Sequence, residues 1–200
     1  MKQSPFDLSN QSPSSKIIVA LERISEAFRV LLWNEGKNNS LSPIQVQVLI
    51  YLLFHSQENC RVSNLASEFN MTKATISDSV NSLLAKKLII KTGDKEDTRS
   101  FTISLTKEGK KIAQRCSSFT SAIETPLLEL SANQKEEILS GLLQLIKQLN
   151  AAGIITVQRM CLNCRFYSEN NGTGYCNLLN QPLAKSDLRV DCPDYELIEI

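Results

Sequence analysis

The chain has no apolar run of the roughly 20 residues that a membrane-spanning helix needs. Its opening, MKQSPFDLSNQSPSS, has no apolar stretch after Lys2, so it does not read as a signal peptide. A soluble, cytoplasmic protein is expected. No internal repeat is visible, and there is no nucleotide-binding motif, acid/base pair or substrate-pocket signature. An enzyme is therefore the least supported class, including a redox enzyme built on the cysteines. The single histidine, His55, sits among apolar residues and reads as a satisfied interior group rather than a ligand. Charge of one sign is also lacking, since the net charge is +1, but the charge is unevenly placed. Met71 to Lys111 holds nine Lys/Arg against five Asp/Glu, whereas Met160 to Ile200 holds three against six. A polyanionic partner would meet the basic middle and not the acidic tail.

What is present is mostly helical pattern. Ser15 to Glu35 places Ile17, Leu21, Ile24, Phe28, Leu31 and Leu32 on one helical stripe, which GKNNS is expected to end. Ser42-Pro43-Ile44-Gln45 predicts a second start. Ser42 can cap, Pro43 needs no N–H in the first turn, and Gln45 can bond back to the cap. Val46, Val48, Leu49, Leu52 and Leu53 follow. Two short patterns come next, Val62 to Phe69 and Lys73 to Leu88, with Thr72 as N-cap of the second. Ala74, Ile76, Val80, Leu83 and Leu84 form its expected buried face. Lys73, Thr75, Ser77, Asp78 and Asn81 form the exposed one. Short helices about a tight turn, the second presenting small polar side chains, predict a helix-turn-helix.

Leu88-Ile89-Ile90 and Phe101 to Leu105 are β-rich runs flanking KTGDKEDTRS, a hairpin with a charged tip, hence a wing. A helix is then expected from Thr106 to about Leu130, interrupted at Pro126. Ser131-Ala132-Asn133-Gln134 is a second capping box. It opens a helix with Ile138, Leu142, Leu145 and Leu149 on one line and Leu139, Leu143 and Ile146 beside it, stopped by Gly153. The first and last helices carry more apolar surface than a small winged core can cover, which predicts a twofold homodimer through them. The expected fold class is mainly α with a small β-wing, a winged helix-turn-helix with a small Cys-rich tail. The expected organisation is a disordered stretch at 1–14, a winged-helix domain with dimerisation helices at 15–153 (DNA-binding core about 42–106), and a Cys-rich extension at 154–200.

From one helix face Lys73, Thr75, Ser77 and Asn81 can reach phosphates or base edges of duplex DNA. Lys91, Lys95 and Arg99 put positive charge on the wing, where an arginine can read a narrow minor groove. The plainer reading is a solvated helix face with scattered lysines. In order and spacing, SPIQVQVLIYL, VSNLASEFNMTKATISDSVNSLLAKKLI, the wing GDKEDTRSFTISLT and KEGKKI resemble the MarR family of bacterial winged helix-turn-helix regulators, over about Lys16 to Asn150. The resemblance implies a dimer built from the terminal helices, a recognition helix in the major groove and a wing at the minor groove. It implies that Arg99 is the wing arginine and Asp97 the acid that steadies it. The family pattern has two basic or polar residues after that Asp, whereas here Thr98 precedes Arg99. Asp78 also departs, since a carboxylate repels phosphates. It would accept from a cytosine amine or point away from DNA. Family members often bind aromatic compounds near the junction with DNA, but no residue here identifies such an effector.

Six cysteines in a reducing compartment argue against a disulfide framework and for metal or redox chemistry. Cys161 and Cys164 are separated by two residues, Cys164 and Cys176 by eleven, and Cys176 and Cys192 by fifteen. A C-x-x-C pair with two further thiolates can complete a four-cysteine set for zinc or an iron–sulfur cluster. Cys192-Pro193 echoes the Cys-Pro of some ferredoxin motifs, and Phe166, Tyr167, Tyr175 and Tyr195 are candidates to shield a cluster. Unliganded thiols and an oxidative disulfide are the remaining readings. Cys60 and Cys116 stand alone and read as core residues. The sequence thus predicts a dimeric, DNA-binding transcriptional regulator, with modulation by the four-cysteine site. The alternative is a winged-helix protein-interaction module with a structural zinc tail.

Overall fold

Ser42 opens its helix with the reciprocal bonds expected of it: Gln45 N donates to Ser42 Oγ at 3.4 Å, and Ser42 N donates to Gln45 Oε1 at 3.2 Å. In the computed structural model, which describes residues 4–7, 9, 12–93, 101–156, 159–170 and 172–197, this helix is α2 (Pro43–Phe54). It follows α1 (Pro13–Asn38) and precedes α3 (Val62–Glu68) and α4 (Lys73–Ala85). The hairpin is β1 (Ile89–Gly93) and β2 (Phe101–Leu105), antiparallel with Ile89 opposite Leu105 and Gly93 opposite Phe101. Then come α5 (Lys107–Cys116), α6 (Ser121–Leu128) and α7 (Ala132–Ala151).

One apolar core ties the winged unit together. Val46, Val48 and Leu49 of α2 meet Leu65 of α3, Ile76, Val80 and Leu83 of α4, Ile89 and Ile103 of the hairpin, and Ala113 and Cys116 of α5, all at most 2% exposed. Burying each large apolar side chain stabilises by about 1.5–3 kcal/mol. Cys60 and Cys116 belong to this core, as their isolated positions suggested.

Three details depart from the sequence reading. Helix α1 starts at Pro13 on an N-cap from Ser12, so its first turn takes in the end of the stretch expected to be disordered. It ends at Asn38, within GKNNS as expected, after passing through Gly36. Gly36 is there for space, since a Cβ on it would stand 2.6 Å from Leu41 O where the chain turns back. The second concerns the long helix after the wing, which breaks at Ser117–Thr120 and not at Pro126, which lies inside α6. Ser117, Ser118 and Ser121 hydroxyls donate to the carbonyls of Gln114, Arg115 and Ser118, competing with helical bonding at that point. The third is on α4, where Ala74, expected to be buried, is exposed, and Ser79 takes a buried place with its hydroxyl donating to Thr75 O at 3.0 Å.

The C-terminal extension is a three-stranded antiparallel meander of β3 (Tyr167–Asn170), β4 (Thr173–Cys176) and β5 (Gln181–Leu183), flanked by single 3-10 turns at Cys161–Asn163 and Lys185–Asp187. It borrows a core from α7. Leu143 packs with Met160 and Leu162, and Leu139, Ile146, Tyr167 and Leu188 surround them. The other stripe of α7 stays open, with Ile138, Leu142, Leu145 and Leu149 exposed, as are Ile17, Ile24 and Phe28 of α1.

Candidate nucleic-acid interface and cysteine site

Asn70, in the left-handed conformation at φ 52°, turns the chain between α3 and α4. Thr72 then caps α4 by accepting from Thr75 N at 3.1 Å. Its hydroxyl also lies 2.9 Å from Thr75 Oγ1, so Thr75 is oriented by the cap. Lys73, Thr75, Asp78 and Asn81 are exposed along α4, and Ser77 is half-buried beside them. Gln45 of α2 fixes the roll of α4 from beneath. It donates to Ser82 Oγ at 3.0 Å and accepts from Lys86 Nζ at 3.2 Å. Sequence reasoning assigns Gln45 only its capping role.

The wing is joined to the same helix. Lys91 Nζ donates to Asn81 Oδ1 at 3.3 Å and lies 4.4 Å from the centre of the Phe101 ring. Two of the residues singled out from sequence, one on the wing and one on the helix, are thus neighbours. Lys95, Asp97 and Arg99 lie outside the described residues.

The cysteine site is assembled by backbone bonds. Cys164 N donates to Cys161 O at 3.0 Å, and Tyr167 N to Cys164 O at 3.0 Å, forming a tight knuckle at the C-x-x-C pair. Cys161 N donates to Arg189 O at 3.1 Å, Arg165 N to Glu196 O at 2.9 Å, and Leu197 bridges to Cys164, so the last segment returns beside the knuckle. Cys176 ends β4 opposite Tyr167. As a result Cys161, Cys164, Cys176 and Cys192 line one cavity of about 20 Å³, with Phe166, Tyr167, Leu178, Leu179, Leu183 and Asp194. Arg189 N donates to Cys161 Sγ at 3.2 Å, and its guanidinium lies 3.7 Å from Cys192 Sγ. Burial pushes the Cys161 thiol up; the Arg189 N–H opposes this, and negative charge on Cys192, Cys164 or Cys176 adds to it. Among the described residues, no three His, Cys, Asp or Glu side chains stand where they would hold a single metal ion. Of the proposed shielding aromatics, Phe166 and Tyr167 line this cavity, whereas Tyr175 is turned to Asn180, its hydroxyl donating at 2.6 Å.

A polar cluster joins this site to the helix-turn-helix. Arg159 donates from Nε to Asp191 Oδ1 at 2.7 Å and from Nη1 to Glu68 Oε2 at 2.9 Å. His55 stacks on Tyr51 with ring centres 3.7 Å apart and donates from Nδ1 to Tyr51 O at 2.9 Å. Its Nε2 lies 2.8 Å from Asp191 Oδ2 and 3.1 Å from Arg159 Nη2. His55 is therefore satisfied, as expected, by Tyr51 on one side and by the tail on the other. Burial raises the Asp191 carboxyl, and hydrogen bonds from Arg159 and His55 outweigh that and hold it below its ordinary value. Nothing in the sequence pairs Arg159 with Glu68 or His55, which lie more than ninety positions away from it.

A core of short helices, a capped polar helix and an attached two-stranded wing define a winged helix-turn-helix protein. Residues 39–100 match the family model described as MarR family. Among solved structures, the chain is similar to the S. aureus MepR–DNA complex at 25% identity, with 70% of this chain and 100% of that one covered and a TM-score of 0.60. It is similar to S. aureus MepR in its DNA-binding conformation at 25% identity, covering 66% and 98%, with a TM-score of 0.59. A third structure, MepR described as a transcription regulator of the Staphylococcus aureus multidrug efflux pump MepA, aligns at 24% identity over 65% and 96%, with a TM-score of 0.51. No curated protein matches the chain. Among the described residues no helix is long and apolar enough to cross a membrane.

Proposed function

We propose that this chain is a cytoplasmic, homodimeric, DNA-binding transcriptional regulator whose operator binding responds to a group held by Cys161, Cys164, Cys176 and Cys192. The observation that carries the first half is the join between Lys91 of the wing and Asn81 of α4, at 3.3 Å. It makes one continuous polar and basic surface from Lys73 and Thr75 to the hairpin. Phosphates of duplex DNA meet such a surface, with a few base-edge contacts setting sequence. The likeness to MepR in complex with DNA supports this reading. The open apolar stripes of α1 and α7 support a second copy as the dimer partner, which would set two half-sites about one helical turn apart.

The second half rests on the ring of thiols. Four cysteines lining one cavity suit either group, and the spread second pair with Cys192-Pro193 favours an iron–sulfur cluster over zinc. The cavity lining is mostly apolar, and the Arg189 N–H donates toward sulfur, as thiolate ligands require. A cluster would supply redox sensitivity; a zinc ion would brace the fold.

The test has two parts. Operator binding measured at several salt concentrations is expected to weaken steeply with salt; a flat response would turn the reading to a protein-interaction module. Anaerobically purified protein is expected to be brown and to contain iron and sulfide. A colourless protein with one zinc per chain would assign the site to zinc, and a chain with neither would remove the group.

A further inference from the structure

Three consecutive residues face three parts of the molecule. Arg159 reaches Glu68 at the end of α3, Met160 is fully buried against Leu143 of α7, and Cys161 lines the thiol ring. The same arrangement recurs at Asp191-Cys192, where Asp191 holds Arg159 and lies against His55 at the end of α2, and Cys192 lines the ring. The two pairs are stitched together by Cys192 N, which donates to Arg159 O at 2.8 Å. Nearby, Asn70 in the helix-turn-helix turn donates to Ile154 O at 3.3 Å, and Thr156 Oγ1 donates to Ser67 O.

We propose that Arg159 is the positioning residue that couples the cysteine site to the DNA-binding helices. The inference rests on the cysteines being a ligand set. Drawing Cys161 and Cys192 onto one group fixes the backbone on both sides of the Arg159–Asp191 pair. That holds the guanidinium on Glu68 and keeps Asp191 against His55, and so fixes the ends of α3 and α2. Because Met160 is seated on α7, the strap also fixes the helix-turn-helix relative to the helix that carries the open apolar stripe. Losing the group frees Cys161 and Cys192 to separate, and the Arg159 anchor then holds only the tail. The side chains of Arg159 and Glu68 are 15% and 22% exposed, so the pair is shielded enough from solvent to transmit position.

The experiment compares operator affinity of full-length protein loaded with iron and sulfide, or with zinc, against protein stripped by a chelator. It does so for the parent chain, Arg159→Ala and Glu68→Gln, with metal content measured on each sample. In the parent, loaded and stripped forms are expected to differ by about tenfold, within the usual range of coupling between sites. In Arg159→Ala and in Glu68→Gln the metal content is expected to stay at the parental level while the difference falls to within about twofold of unity. The milder Glu68→Gln keeps the test open should Arg159→Ala fold poorly. Variants that bind metal and retain the full difference would overturn the coupling and leave the cysteine reading standing. A parent that binds metal but shows no difference would do the same. A parent that takes up neither zinc nor iron would overturn the cysteine reading, and this inference with it.

Discussion

Gly109 lies so close beneath Leu88 that a Cβ on it would stand 1.8 Å from the Leu88 carbonyl oxygen. The closeness comes from Thr106, which caps α5 by accepting from Gly109 N at 3.0 Å and donates its own hydroxyl to Lys87 O at 2.9 Å. Cap and glycine together lock the base of the wing onto α5. Because the obstruction is backbone, no rotamer change relieves it. Gly109→Ala is expected to destabilise the fold by about 3 kcal/mol. Urea titration followed by circular dichroism measures it, and a loss below about 1 kcal/mol would show that the close approach is not needed.

Lys73 and Lys91 should behave alike in DNA binding, although one is on a helix and the other on a strand. Removing a cation that neutralises one phosphate reduces the slope of log affinity against log salt by about 0.9. Lys73→Ala and Lys91→Ala are each expected to lower the slope by that amount and to weaken all duplexes similarly. Asn81→Ala is expected to spare the slope and narrow the gap between operator and unrelated sequence. Fluorescence anisotropy over a salt series separates the two patterns.

Cys116 should shape the alkaline limit of stability. It is fully buried, and burial, with a hydrogen bond to Glu35, pushes its thiol from 9.0 to about 12. A folded value above the unfolded one means that the stabilisation is complete below pH 9.0 and is lost as pH rises toward about 12. Tyr51, also raised to about 12 by burial, acts in the same direction over a narrower range. Cys116→Ala is expected to flatten the fall of stability across that window, at the expense of a small cavity at neutral pH. Denaturation midpoints between pH 8 and pH 12 would reveal it; parallel curves for parent and variant would exclude the thiol as the cause.

How much of the molecule is legible in the sequence depends on the range of the interaction. Caps at Ser42, Thr72 and Ser131 are bonds over three residues, and each appears in the structure where the spacing places it. The break after α5 escapes the sequence reading because Pro126 is a conspicuous residue, whereas a run of serines bonding back to carbonyls is not. The need for glycine at position 36 is not legible either, because it depends on Leu41 folding over it. The C-x-x-C spacing marks the cysteines for one site, but nothing in the pattern foretells that Arg159 reaches Glu68. An ion pair between distant segments leaves no periodic trace.

The last helix offers the sharpest contrast between adjacent positions. Leu143 is 1% exposed and carries the tail, whereas Leu142 is 38% exposed on the stripe shared with Ile138, Leu145 and Leu149. A hundred-degree step around the helix separates a residue that holds the extension from one left for a second copy. Leu142→Glu is expected to shift the protein toward monomer and, because one recognition helix per molecule spans only one half-site, to cut operator affinity at least tenfold. Leu143→Ala is expected to leave the dimer intact and to cost about 2–5 kcal/mol of packing, concentrated in the tail. Sedimentation velocity reads the first effect and limited proteolysis of residues 159–197 reads the second. If Leu143→Ala dissociated the dimer while Leu142→Glu left it whole, the two faces of α7 would have to be exchanged.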